Sequence, residues 1–180
     1  MALLHTGDRI CASCRGINGR HRAACSGDES IDVLSVYSRR QAIDDGVLVD
    51  CEQAPMGKMR RELMRWPLAM TATAFHRYVW PIDENANLPP GQSLEGRFWD
   101  VVWMFHAAVK GTVPARRIDP CNLLFDFYCI VADPALCANE KFDSTARSGL
   151  AGMRLVTLKA VSGPGDDGDP VMTFMLPEED

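Results

Sequence analysis

The sequence has no apolar run of the roughly 18 residues that a membrane helix requires. Its first residues, Met1-Ala2-Leu3-Leu4-His5, lack the basic start and long apolar core of a signal peptide. The expectation is a soluble, cytoplasmic protein with no membrane partner. There is no Gly-x-Ser-x-Gly elbow, no phosphate-cradling glycine loop and no His-Glu-x-x-His pair, so none of those catalytic motifs applies. Internal repeats and low-complexity tracts are also missing. The seven cysteines are odd in number and follow no secretion signal, which favours reduced thiols over a disulfide framework.

What is present is ordinary for a globular chain. Of 180 residues, 47% are hydrophobic and 24% charged, enough to bury a core within one domain plus a short appendage. The net charge of -5 speaks mildly against a general nucleic-acid binder. That charge is unevenly spread. Residues 1–30 carry Arg9, Arg15, Arg20 and Arg22 against Asp8, Asp28 and Glu29. Residues 163–180 carry Asp166, Asp167, Asp169, Glu178, Glu179 and Asp180 with no Lys or Arg. Such a tail reads first as a solvated end, and second as a contact for a basic partner or a mimic of phosphate.

The sharpest local signal is Cys11-x2-Cys14-x6-His21-x3-Cys25. Three thiolates and one imidazole suit tetrahedral zinc, and a two-residue gap sets two sulfurs on one tight turn. Gly16 and Gly19 let the chain reverse between the halves. A segment this short cannot bury a core, so a metal is the natural way to order it. The bland alternative is an unstructured Cys-bearing tail. A redox dithiol would need a strand before Cys11, and residues 8–25 show no strand period. With four protein ligands the site would be closed and structural. Arg15, Arg20 and Arg22 sit on it as candidate contacts to phosphate or to an acidic protein face, although no aromatic residue there could stack a base. The other cysteines, Cys51, Cys121, Cys129 and Cys137, lie among apolar neighbours and read as buried, inert core residues.

Gly27-Asp28-Glu29-Ser30 reads as a linker, dividing a knuckle over 1–30 from a domain over 31–180. The pattern predicts strands at 31–37, 47–50, 123–132, 153–161 and 171–176, the last two forming a hairpin with a long turn. It predicts a helix over 39–45, capped by Ser38 and stopped by Gly46, and a basic helical turn over 58–64. Residues 68–79 have helical spacing. The strongest helix is 94–110, capped by Ser93, stopped by Gly111, and apolar almost all round. Residues 133–150 read as a loop. The expected fold is α+β, a small mixed or antiparallel sheet packed on that central apolar helix.

No catalytic set is nameable. His106, beside Trp103, reads as a hydrogen-bonded core or boundary residue, since no nucleophile or carboxylate partner accompanies it. His76 lacks partners in the same way, on a helical face expected to be exposed. Asp100 lies one turn after Arg97, which predicts a local ion pair. An enzyme reading would need Asp100 and His106 to line one pocket. The acid-rich residues 163–169 lack the ligand order of an EF-hand and read as a turn.

Several segments carry a resemblance: Val36-Tyr37-Ser38-Arg39-Arg40-Gln41-Ala42 continuing through Asp50, Trp66-Pro67-Leu68-Ala69-Met70-Thr71, Gly96-Arg97-Phe98-Trp99-Asp100 continuing through Met104, and Leu155 through Val171 with its Gly163-Pro164-Gly165-Asp166-Asp167-Gly168-Asp169-Pro170 turn. On these segments the chain resembles a family of small uncharacterised proteins carried by bacteria, plasmids and phages. The resemblance implies an accessory protein of a mobile element and transfers no catalytic residue. Residues 1–30 fall outside the usual match, so the knuckle looks like an addition. Residues 112–150 look longer and richer in Cys than the usual pattern. The expected function is non-enzymatic: binding and inhibiting a host defence protein or ribonucleoprotein complex by protein–protein contact, of the anti-CRISPR or anti-restriction kind. The alternatives are a nucleic-acid-binding module working through Arg15, Arg20 and Arg22, and an enzyme using Asp100 and His106.

Overall fold

The computed structural model describes residues 9–11, 30–32, 37–80, 91–130 and 153–179. Two sheets are present among them. A short ribbon pairs β1 (Arg9–Cys11) with β2 (Ser30–Asp32) in antiparallel register, Cys11 opposite Ser30. The main sheet has six strands in the order β3-β4-β8-β7-β6-β5. These are β3 (Leu48–Asp50), β4 (Leu68–Thr71), β5 (Ala115–Asp119), β6 (Asn122–Ile130), β7 (Met153–Pro164) and β8 (Pro170–Met175). All its pairings are antiparallel except β4 with β8, so the sheet is mixed.

Local signals place several elements where the sequence predicts them. Helix α1 (Arg39–Asp44) starts on a capping box in which Ser38 and Gln41 bond each other's backbone amides. Gly46, at φ +74°, ends it in the left-handed region. Helix α4 (Leu94–Val109) starts at Ser93, whose side chain accepts from the Gly96 amide, and stops before Gly111 at φ +73°. The hairpin of β7 and β8 also matches expectation, closing through a Gly165 amide bond to the Asp169 carbonyl at 2.7 Å.

Three stretches differ from expectation. Residues 68–79 are not one helix. Leu68, Ala69 and Met70 form β4, fully buried between β3 and β8, and the helix α3 (Ala72–Tyr78) begins only after the Thr71 cap. A short apolar run buried on both faces shows no two-residue alternation, so its period cannot separate strand from helix. Strand β5 was not anticipated at all, because its sequence Ala-Arg-Arg-Ile-Asp is polar and exposed. Residues 8–25, expected to hold no strand, contain β1, which ends on Cys11, so the lack of a strand does not count against a redox dithiol there.

The core lies on one face of the main sheet. Helix α4 lays Phe98, Val101, Val102 and Phe105 onto it, and α3 adds Phe75, Tyr78 and Val79. Phe105, Phe125 and Phe174 form a ring cluster with centroids 4.8–5.4 Å apart. Full burial of each such side chain contributes about 1.5–3 kcal/mol. Helix α2 (Met56–Leu63) packs against α4. It is locked to β4 by a partly buried ion pair, in which Glu52 bonds the buried Arg60 guanidinium and also accepts from the Leu68 amide at 3.0 Å. Helix α1 lies against β3, and its Arg39 guanidinium donates to Thr173 Oγ1, on the sheet face opposite Phe174. Among the described residues no helix is long and apolar enough to cross a membrane.

The sequence predicts α4 as apolar almost all round. Its inner residues meet the sheet and α2, but Trp103 and Val109 remain 50% and 60% exposed. That unburied side of α4 borders the site described next.

Candidate functional site

At the C-terminal end of α4 the sheet is not fully covered. A hollow of about 440 Å³ opens there. Its floor is Leu123, Ala160 and Met172 on β6, β7 and β8. One wall is Phe105, His106 and Val109 of α4. The second wall is the α2–β4 connection, Leu63 to Trp66, and the third is Arg117 with the turn Asp119 to Asn122.

Each wall is held by specific bonds. His106 Nδ1 lies 2.8 Å from the Leu63 carbonyl. A carbonyl only accepts, so Nδ1 carries the proton and the imidazole pins α4 to the end of α2. The expected boundary role of His106 is what the geometry shows. The β5–β6 turn is an Asx turn: Asp119 accepts from the Cys121 amide at 2.7 Å and from Asn122 Nδ2 at 2.6 Å. Those bonds, the Asn122 side chain foremost, hold the Asp119 carboxyl below its usual range. The Cys121 carbonyl then accepts from the Ser162 amide, tying the turn to β7.

The rim is aromatic and basic. Trp66 is 39% exposed, and Arg65 and Arg117 stand beside it. Along α4, Trp99, Trp103 and His106 stack in sequence, with centroids 6.0 and 6.2 Å apart, because residues three and four apart share a helix face. The aromatic surface therefore runs continuously from the outer face of α4 into the hollow.

The residues singled out in the sequence are placed differently. Cys14, His21 and Cys25, with Arg15, Arg20 and Arg22, lie outside the described residues, as does Cys137. Cys11 is placed only as a backbone position on β1. Among the described residues no group of three or more His, Cys, Asp or Glu side chains could hold a metal. Cys51 and Cys129 are buried as expected, and burial pushes the Cys51 thiol up; Cys121 is exposed, which corrects the expectation for that thiol. Asp100 and His106 do not share a hollow: Asp100 lines depressions near Gln92 and Arg97, toward the other end of α4. Burial raises the Asp100 carboxyl, partly offset by the Arg97 charge.

The expected Arg97–Asp100 ion pair is absent from the bonds Arg97 makes. Its five N–H donors meet five acceptors: the carbonyls of Tyr78, Val79 and Ile130, Gln92 Oε1 and Cys129 Sγ. Arg97 is thus a buried staple between α3, α4 and β6. His76 is half-buried, not exposed, with Nδ1 2.9 Å from the Trp80 carbonyl. Two acids of the C-terminal stretch are also engaged. Asp166 bonds α1, and Glu179 accepts from Thr71 Oγ1 and the Leu176 amide while its carbonyl receives Lys159.

Sequence reasoning missed the hollow. The Asp119-Pro120 turn signal was readable, but nothing local says that Trp66 and Val109 face one another across a gap. No protein-family model, curated protein or solved structure matches the chain.

Proposed function

We propose that this chain is a non-enzymatic accessory protein of a phage or plasmid that binds and inhibits a host defence component by protein–protein contact. The observation that carries the reading is the hollow at the end of α4, with exposed Trp66 and Val109 on its walls and Trp103 stacked on His106 beside it. Contiguous exposed apolar surface around a concavity marks interaction sites, and tryptophan and arginine are the residues that most often dominate binding there. The mobile-element context comes from the family resemblance of the sequence.

The zinc set Cys11, Cys14, His21 and Cys25 belongs to the same proposal as a closed structural knuckle. The β1–β2 register supports it, because Cys11 opposite Ser30 brings both ends of the intervening segment together. Zinc there would order the loop and present Arg15, Arg20 and Arg22.

The test is expression in a host carrying an active CRISPR or restriction system. The expected result is loss of immunity to phage, retention of a defence protein on the tagged chain, and loss of both on Trp66→Ala with Trp103→Ala. Intact immunity with no defence protein retained overturns the proposal. Salt-dependent nucleic-acid binding that disappears on substitution of Arg15, Arg20 and Arg22 replaces it with the nucleic-acid reading.

A further inference from the structure

The hollow at the end of α4 also has the build of a small-molecule pocket. Such pockets span about 300–1,000 Å³ and set a few polar groups among apolar walls. This one holds about 440 Å³. Leu123 and Ala160 pair directly across β6 and β7 to make its floor, with Met172 beside them on β8. Trp66 and Val109 stand exposed on two of the walls, so their apolar surface is left to solvent.

The polar groups of the walls fall into two kinds. Most are satisfied within the protein. His106 Nδ1 bonds the Leu63 carbonyl, and Ser162 Oγ donates to the Cys121 carbonyl. Asn122 Nδ2 and the Cys121 amide donate to the two oxygens of Asp119. Arg65 and Arg117 are the other kind. Among the described residues neither guanidinium has a hydrogen bond or an ion pair. The register sets Arg117 on the hollow side of β5, because it pairs with the floor residue Leu123 and directly paired residues share a face. Arg65 precedes Trp66 in the wall between α2 and β4.

A solvated rim is the plain account of two exposed arginines. It explains the charges singly, but not two unpaired cations bordering bare apolar walls. Together these features define an occupant. The unengaged groups are charged donors, so the complementary group is an anionic acceptor, and a guanidinium fork matches a carboxylate. The acid in the wall, Asp119, is outnumbered by the two arginines and has each oxygen bonded within its own turn. The walls call for an apolar body, and Trp66 with Phe105 offers aromatic surface to a flat one.

We infer that the hollow is a binding site for a small aromatic carboxylate. Its ring system sits against Trp66, Val109 and the Leu123–Ala160 floor, and Arg65 and Arg117 hold its carboxylate at the rim. This site goes beyond the proposed docking function and does not depend on it.

The test is calorimetric titration of the full chain with naphthoate, and with naphthylmethanol as its uncharged counterpart. Saturable one-to-one binding of naphthoate is expected. It should be tighter than that of the alcohol by about tenfold, equivalent to about 1.4 kcal/mol, and the double variant Arg65→Gln with Arg117→Gln should abolish that advantage. Both side chains are exposed, so the variant should keep the fold, which a thermal melt checks. Val109→Asp, also at an exposed position, should weaken naphthoate, whereas Arg40→Gln, on exposed α1 surface, should leave it unchanged. The exposed Cys121 thiol places the ligand, because it lines the hollow. Its alkylation by iodoacetamide, read by peptide mass spectrometry, should slow when naphthoate is saturating. No saturable binding, equal binding of acid and alcohol, binding unchanged in the double arginine variant, or Cys121 alkylation unchanged at saturation each overturns the inference. Immunity is not read in this experiment, so failure of the ligand site leaves the docking proposal standing, and the reverse.

Discussion

The carboxylate of Asp166 closes the start of α1, accepting from the Arg39 amide at 2.7 Å and the Arg40 amide at 2.9 Å. Ser38 and Gln41 satisfy the neighbouring donors, so the first turn of this six-residue helix is fully bonded. The acid-rich turn of the β7–β8 hairpin is thus a structural clasp, and Asp166 is withdrawn from any free acidic surface.

Asp166→Ala should cost about 1 kcal/mol, the usual effect of removing a helix cap. Urea unfolding checks this, and Asp167→Ala is the control, since that side chain is exposed and makes no comparable bond.

Gly57 opens a second prediction. A Cβ there would overlap the Glu52 carbonyl, a backbone atom that cannot swing aside. In an open helix Gly→Ala gains about 1 kcal/mol. Here Gly57→Ala should lower the melting temperature instead, and should loosen the Glu52–Arg60 pair. A melting temperature equal to or above that of the parent protein would disprove the close packing.

Arg97→Lys should be severely destabilising despite conserving charge. A lysine has three donors on one nitrogen and cannot reach acceptors spread over α3, β6 and Gln92. The unsatisfied buried carbonyls should cost about 3 kcal/mol in total, measurable by denaturant midpoint.

Asp100 gives a pH dependence. Burial raises its carboxyl in the folded protein, so the folded state holds that proton more tightly than the unfolded state. Stability from this group is therefore full at low pH and falls as pH rises from the ordinary carboxylate value through the raised one. Asp100→Asn removes the loss. The variant should match the parent near about pH 3 and exceed it near about pH 7, where the ordinary carboxylate is ionised. A variant less stable at neutral pH would show that the charge is favourably held.

The knuckle proposal predicts tightly bound zinc in the purified chain, lost on Cys11→Ser and on His21→Ala but kept on Cys137→Ser. Elemental analysis after dialysis decides it. Zinc retained by Cys11→Ser refutes the ligand set.

Much of the fold was legible because its signals are local. Ser38 with Gly46 and Ser93 with Gly111 bracket α1 and α4 within the residues they cap. The turn from Gly163 to Asp169 marks the hairpin in the same way. The ligand spacing from Cys11 to Cys25 is also a local pattern, but Cys14, His21 and Cys25 lie outside the described residues and the metal it predicts stands as a proposal.

What only the tertiary structure decided depends on partners far along the chain. Leu68, Ala69 and Met70 become a strand because β8, about a hundred residues later, supplies the edge they pair with. Arg97 finds backbone carbonyls instead of Asp100 because α3 and β6 converge on it. The hollow exists because α4 ends before the sheet does, leaving Trp66, Val109 and Arg117 around a gap. Capping and turn chemistry act over three or four residues and are written in the sequence, whereas burial and charge pairing depend on which distant surfaces meet.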